Sequence, residues 1–347
     1  MARNRLSKLS RQAATILRFS AIARSFKSGP AVLFYHGVEE DLVDPEVQTL
    51  HLPMARFENH IAYLRKHFEI VSLDYLFDKL SNHRRLDPRQ IAITFDDGYR
   101  NNLEVVAPFL NGYNVPFSVF VSTRHVSEGL RFPTYYLRAG IHYCRDKYIR
   151  ILDKNYDISS DEKKREVVAA ISERMKATNQ DSVLRIVADL VGLLSRDRWI
   201  EIDERFSSDQ PMNWVEVREL SNLGATIGSH CHDHMLLHKK QDMKCISFQL
   251  QTSKELVEKH IGACKYIAYP NGSGNDISPD AVEQVKKCGY RAGFMTVPGE
   301  IRPHANRYVL PRIAANGEAI HHFSLDIDAS SRYNRRYDRW CKTHGFS

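Results

Sequence analysis

Two short stretches carry residue types that chemistry can use. The first, IAITFDDGYR (91–100), runs apolar, β-favouring residues into two adjacent carboxylates, Asp96 and Asp97, and then a glycine. Burying unpaired carboxylates is costly, so something must neutralise or use this pair. The second, IGSHCHDHMLLH (227–238), places His230, His232, His234 and His238 within nine positions, directly after another strand-like run. On a helical turn, the four-residue step from His230 to His234 sets both imidazoles on one face, close enough to share a metal ion. A lone histidine is usually an ordinary core or surface residue; four in one short segment are harder to dismiss. The spacing is not H-E-x-x-H, so a metalloprotease reading lacks its glutamate. One carboxylate and two imidazoles form a three-ligand set that leaves a coordination position open to water. The second carboxylate then stays free to accept a proton. The same set suits a non-haem iron oxygenase, but the short His-x-Asp/Glu spacing of those sites is absent and the second aspartate would be idle.

Strand ends must bring these residues together. Short apolar runs alternate with helical patterns, the sign of a parallel α/β architecture. The expected strands are residues 31–36, 69–73, 91–95, 117–122, 225–229, 265–269, 290–295 and 308–313. Several are apolar without strict alternation, as expected when both faces of a sheet are covered. Phe57, Ile61, Leu64 and Phe68 make a helical stripe. Asn213 is placed to cap a helix that stops at Gly224, and Ser278-Pro279 to start one that stops at Gly289. About eight strands with helices between them approach a (β/α) barrel, whose strand ends gather distant segments. From about 131 to 210 the rhythm breaks into two helical patterns with no convincing strand. Ser159 and Glu162 offer a capping box before Val167, Val168, Ile171 and Met175, and Val183, Ile186, Val187, Leu190 and Leu194 form the second stripe. This segment is expected to be a helical insertion.

Composition narrows the class. The 347 residues are 43% hydrophobic, enough for a real core, and no apolar run is long enough to span a bilayer. Net charge is +7, and the first thirty residues hold seven basic residues, Arg3, Arg5, Lys8, Arg11, Arg18, Arg24 and Lys27, with no acid. The remaining basic and acidic residues balance, so no nucleic-acid groove is expected. The arm, residues 1–29, is amphipathic in pattern and reads as peripheral contact with an anionic membrane face, as a frayed solvated arm, or as a transit segment. Six cysteines without a C-x-x-C pair suggest reduced thiols and a cytoplasmic protein.

TFDDGY followed far downstream by H-C-x-x-H resembles the polysaccharide deacetylase (NodB-homology) family, carbohydrate esterase family four. The likeness covers roughly residues 30–125 and 212–315. It implies an α/β fold, an irregular (β/α) barrel of about seven to eight strands, with the helical insertion outside the resemblance. It implies a metal-dependent hydrolase that removes N-acetyl or other acyl groups from sugars, with an N-acetylated glycan as partner and a divalent metal as cofactor: zinc first, with cobalt, nickel or iron as alternatives. Carried over by position, Asp96 is the general base, and Asp97, His230 and His234 hold the metal. The family's hydroxyl residue after the first histidine is replaced by Cys231. AYPNG (268–272) stands where the family has Arg-x-Pro-Tyr; Ala268 replaces the arginine that orients the catalytic aspartate, and Asn271 replaces the aromatic residue. Arg312 is the candidate substitute for the arginine, and the backbone N–H of Asn271 the oxyanion donor. The Leu-x-His motif is not found where expected. His36, after the first strand, is taken as general acid in preference to His322, which makes the chain resemble circularly permuted members. Tyr99 and Trp214 are the candidate substrate contacts. The expected organisation is an arm (1–29), a barrel (30–322) and a basic tail (323–347). A degenerate, glycan-binding barrel is the alternative, supported by the changes at Ala268 and Asn271.

Overall fold

The computed structural model describes residues 20–82, 84–315 and 319–346. The chain runs β1 (Ala31–Tyr35), β2 (Gly37–Glu39), β3 (His51–Pro53), α1 (Met54–His67), β4 (Glu69–Ile70), α2 (Leu73–Ser81) and β5 (Gln90–Phe95). A π-helical turn, Asn102–Val106, leads into α3 (Ala107–Gly112), then β6 (Phe117–Val121) and α4 (Thr123–Glu128). Next come α5 (Pro133–Tyr143), β7 (Tyr148–Ile151), β8 (Lys154–Asp157), α6 (Asp161–Lys176), α7 (Gln180–Val191) and α8 (Arg196–Arg205). The chain continues with α9 (Trp214–Asn222), β9 (Thr226–Ser229), α10 (Met243–Ile261), β10 (Tyr266–Ala268), α11 (Pro279–Lys287) and β11 (Ala292–Phe294). It closes with β12 (Ile313–Ala314), α12 (Ile320–Asp328) and α13 (Ser331–Thr343).

Seven of the eight apolar runs expected as strands enter one parallel sheet, ordered β11-β10-β9-β6-β5-β1-β12, with β4 pairing with the start of β5; of the eighth, 308–313, only Ile313 does, at the start of the two-residue β12, while Leu310 makes an isolated bridge to Phe294. The sheet curls into a parallel half-barrel, consistent with the expected irregular (β/α) barrel. Its strands read as continuous apolar runs because both faces are covered: every residue of β1, β5 and β6 is buried. Alternate residues divide between two cores, as the two-residue strand period requires. Leu33, Tyr35, Ile93 and Phe95 join the larger cluster, packed with Phe57, Ile61 and Leu64 of α1. Val32, Ala92, Phe120, Ala268 and Phe294 join the smaller one, with Leu73, Leu76 and Phe77 of α2. Helix boundaries follow local chemistry. Asn213 and Glu216 form a reciprocal capping box on α9, and the Ser278 side chain caps α11.

The segment after α4 is a helical insertion with its own core, built around Leu137, Ile141, Ile171, Ile186 and Leu190. It departs from expectation twice. β7 and β8 form an antiparallel hairpin whose Ile149 and Ile151 complete that core. Its Leu152-Asp153 turn lacks the Asn-Gly type of signal that marks hairpins, although Leu152 adopts φ 55°. The cap of α6 is Ser160, whose hydroxyl accepts from the Lys163 N–H at 3.3 Å, one residue later than the pattern suggested.

The ends of the described chain also differ from expectation. Residues 323–346, expected as a basic tail, run through α12 and α13 and bury Phe323, Ile327, Tyr337, Cys341 and, beyond α13, Phe346. The inner part of the basic arm is bound to them. Arg24 bonds Asp328 at 2.9 Å, and the buried Lys27 ammonium bonds Glu300 at 3.1 Å and Ser330 at 2.6 Å. Those two charges therefore serve the fold, and the membrane reading falls on residues 1–19, outside the described residues. No helix of the described residues is long and apolar enough to cross a membrane.

Candidate active site

β5 ends in the Asp96-Asp97-Gly98 turn, β9 in the segment 230–237, and β10 in the segment 269–272. These three loops meet at one end of the sheet. They hold four of the six non-glycine residues with positive φ among the described residues: Asp97 (73°), Cys231 (62°), His234 (54°) and Asn271 (56°). Such conformations persist only where surrounding structure enforces them, and they concentrate at functional sites. Gly98, at φ 77°, admits no side chain, since an added Cβ would lie 2.8 Å from Val121. The expectation of a helical turn from His230 to His234 is corrected: the segment is irregular. The positive φ values of Cys231 and His234 break a helix while still turning both imidazoles inward.

Asp97 Oδ1 faces both rings, 3.4 Å from His230 Nε2 and 3.2 Å from His234 Nε2. It is buried and lacks a hydrogen-bond donor of proper geometry among the described residues. Ligand atoms of all three residues lie within 4.8 Å of one another. Two donors about 2.1 Å from a tetrahedral ion stand roughly 3.4 Å apart, so this arrangement fits a divalent cation. His230 Nδ1 donates to the Ala268 carbonyl at 2.7 Å, which leaves Nε2 bare toward Asp97. Burial opposes ionisation of Asp97, but its contacts with His230 and His234 outweigh it and hold the carboxyl well below the usual range.

Asp96 lies beside this group and is bound differently. The Arg312 guanidinium grips it with two parallel bonds, both 2.7 Å, to Oδ1 and Oδ2. Arg312 is fully buried; it also donates to the Met295 carbonyl at 3.0 Å and lies over the Phe34 ring at 4.7 Å. Burial again opposes ionisation of Asp96, and the fields of Arg312 and His230 outweigh it, so its carboxyl is held low. His36, at the end of β1, feels Asp97 and Asp96, yet burial dominates and pushes its pKa down. Its carbonyl accepts from Asn102 at 2.9 Å, in the π-helical turn that follows the aspartates.

The other sequence candidates are placed as follows. Asn271 lines the cleft with His234, and its side chain donates to Asp276 at 2.6 Å. The Cys231 thiol is buried in the core, where burial pushes its pKa up, and it lies outside the ligand group. His232 is turned away, its Nδ1 2.8 Å from the Thr123 hydroxyl. His322 is exposed on α12, its ring against His321. Tyr99 is buried between His51 and Phe132, with ring centroids at 4.7 and 5.4 Å. Trp214 stacks on His260 at 4.2 Å and donates to Ser127. Both aromatic candidates are thus engaged by protein neighbours, and Tyr99 also lies beside Asp97. The wall beside His234 comes instead from the insertion: Pro133, Ser172, Met175, Lys176 and Val183.

Two features had no local sequence signal. His125 is buried against Phe132 and edge-on to His234, 4.3 and 6.5 Å between centroids. Burial first, then the neighbouring His234, pushes its pKa down to about 3. A second group of potential ligands, Glu39, His51 and Asp209, lies beyond Tyr99. His51 Nδ1 stands 3.3 Å from Glu39 and 3.2 Å from Asp209. Asn101 and Ser208 also bond Glu39, and Gln48 bonds Asp209. With its oxygens so occupied, this group is an ion-paired clasp.

Three solved structures share the architecture. The Streptococcus pyogenes deacetylase PplD in complex with acetate aligns with TM-score 0.54 and 15% identity, over 83% of this chain and 92% of that one. IcaB from Ammonifex degensii aligns with TM-score 0.54 and 16% identity, over 87% and 97%. A de-N-acetylase from Aggregatibacter actinomycetemcomitans aligns with TM-score 0.51 and 14% identity, over 85% and 99%. At such identities the likeness is one of fold. No curated protein matches the chain in sequence. The polysaccharide deacetylase family model matches residues 83–293, more than half of the chain and both the aspartate and histidine motifs, and on that match the chain belongs to the polysaccharide deacetylase family.

Proposed function

We propose that the chain is a metal-dependent hydrolase that removes the N-acetyl group from a sugar of a polysaccharide or lipid-linked glycan. The observation that carries the reading is the buried Asp97 Oδ1, without a hydrogen-bond donor of proper geometry among the described residues and facing two imidazole nitrogens at 3.2 and 3.4 Å. The structural neighbours described as deacetylases, one of them a de-N-acetylase, support the choice of bond. Asp97, His230 and His234 hold the ion, and zinc best suits two nitrogens and one oxygen. When bound, the ion lowers the pKa of water and polarises an acyl carbonyl. Asp96, ionised and oriented by Arg312, accepts the proton of the attacking water. The Asn271 backbone N–H stabilises the oxyanion. His36 delivers a proton to the leaving nitrogen, a step amide cleavage requires because an amide anion leaves poorly.

The test is acetate release from N-acetylated oligosaccharides by the purified protein, with and without a chelator and after readdition of zinc. Release that stops on chelation and returns with zinc supports the reading. A metal-loaded protein that binds such glycans and releases no acetate would instead be a degenerate, glycan-binding member, the reading favoured by Ala268 and Asn271 in place of the family's arginine and aromatic residue.

A further inference from the structure

A groove of about 670 Å³ continues from the cleft beyond Asn271 and Lys176, which line both. Its walls carry Lys176, Lys239, Lys240 and His238, with Glu173 and Asp276 as the acids. Both acids are already engaged. Glu173 pairs with Lys176 at 3.0 Å, and Asp276 accepts from the Asn271 side chain and the Ser273 backbone N–H at 2.6 and 2.9 Å. Lys239 and Lys240 have no carboxylate partner among the described residues, and the Lys240 ammonium donates only to the Ala177 carbonyl.

His238 supplies an independent observation. It is 6% exposed, and its Nδ1 accepts from the Lys240 backbone N–H at 3.2 Å. That bond requires Nδ1 to be unprotonated, so Nε2 carries the proton. Nε2 is buried and has no hydrogen-bond partner among the described residues. His238 lines a groove whose free charges are cationic, and its buried donor is one that a group rich in anionic oxygen would satisfy once the ring turns toward the groove.

Resting on the deacetylase reading, we infer that this groove is a subsite for an anionic group carried by the glycan, a phosphate ester or a sugar carboxylate. The cleft places the acetylated sugar at Asp97 and His234, and the groove receives the charged group beyond it. The substrate is therefore an acidic or phosphorylated glycan rather than a neutral polymer.

The test uses the zinc-loaded full chain and two probes, inorganic phosphate and glucuronate, titrated by calorimetry into wild type, a Lys239→Ala/Lys240→Ala double variant, His238→Phe and His238→Gln. Wild type binds at least one probe saturably, more weakly as salt rises. The double variant and His238→Phe bind it at least about tenfold more weakly, the weight of one or two charged contacts. His238→Gln, which keeps a donor, recovers part of the loss. The probe that binds tells phosphate from carboxylate. Turnover of a neutral N-acetylated oligosaccharide stays within about twofold in the double variant, because those lysines serve only the charged group. Equal affinity in wild type and double variant overturns the subsite, as does failure of both probes to saturate at tens of millimolar. Failure of the deacetylase reading shows separately, as probe binding without acetate release from any glycan.

Discussion

Asp96 and Asp97 are neighbours in the chain with opposite partners: one is held by a guanidinium, the other left open to two imidazoles. Their substitutions should therefore separate. Asp96→Asn keeps the ligand group, so zinc content by mass spectrometry stays at the wild-type level while kcat falls by roughly a hundredfold to ten-thousandfold. His230→Ala removes a proposed ligand, so on the metal-dependent reading zinc content itself should fall. Arg312 is the residue through which Asp96 is oriented. Arg312→Ala leaves a fully buried carboxylate unpaired, at a cost of about 3–5 kcal/mol in urea unfolding. Arg312→Lys restores the charge but not the two parallel bonds, so stability recovers more than kcat.

The elements show where sequence patterns suffice and where they stop. Seven of the eight sheet strands and the cap at Asn213 were legible, because apolar runs and capping chemistry act within a few residues; the run 308–313 meets the two-residue β12 only at Ile313. Asn213→Ala should lower unfolding stability by about 1 kcal/mol. The Asp97 and histidine loops were legible as types and spacing, but not as shape: the helical turn assumed for His230 to His234 is prevented by backbone angles that no residue pattern announces. The clasp of Glu39, His51 and Asp209 was illegible because its members come from β2, β3 and the exit of the insertion, and meet only after folding. It has a measurable signature. Burial opposes a charged His51, but bonds to Asp209 and Glu39 outweigh it and raise the pKa from 6.5 to about 9. A group raised on folding contributes fully below its unfolded value, and the contribution is lost as pH rises through the folded value. Unfolding stability should thus decline between pH 6.5 and 9, by on the order of 3 kcal/mol from this group. His51→Gln should flatten that decline in urea titrations at several pH values.

Across the whole molecule, the sheet is extended and braced by contacts between the two ends of the described chain. β1 pairs with β12, Lys27 sits on Glu300, and Arg24 on Asp328. Glu300 is fully buried, so Lys27→Met should destabilise the protein by about 3 kcal/mol and make residues 20–29 an early site of limited proteolysis. The distant origin of Arg312 has a consequence for biosynthesis. A ribosome finishes Asp96, Asp97, His230 and His234 well before it reaches position 312, so the growing polypeptide carries the acidic pair long before its guanidinium exists. Polypeptides stalled at residue 305 should release no acetate even when supplied with zinc. Chains extended through residue 347 should, so hydrolytic competence arrives only after position 312 has been made.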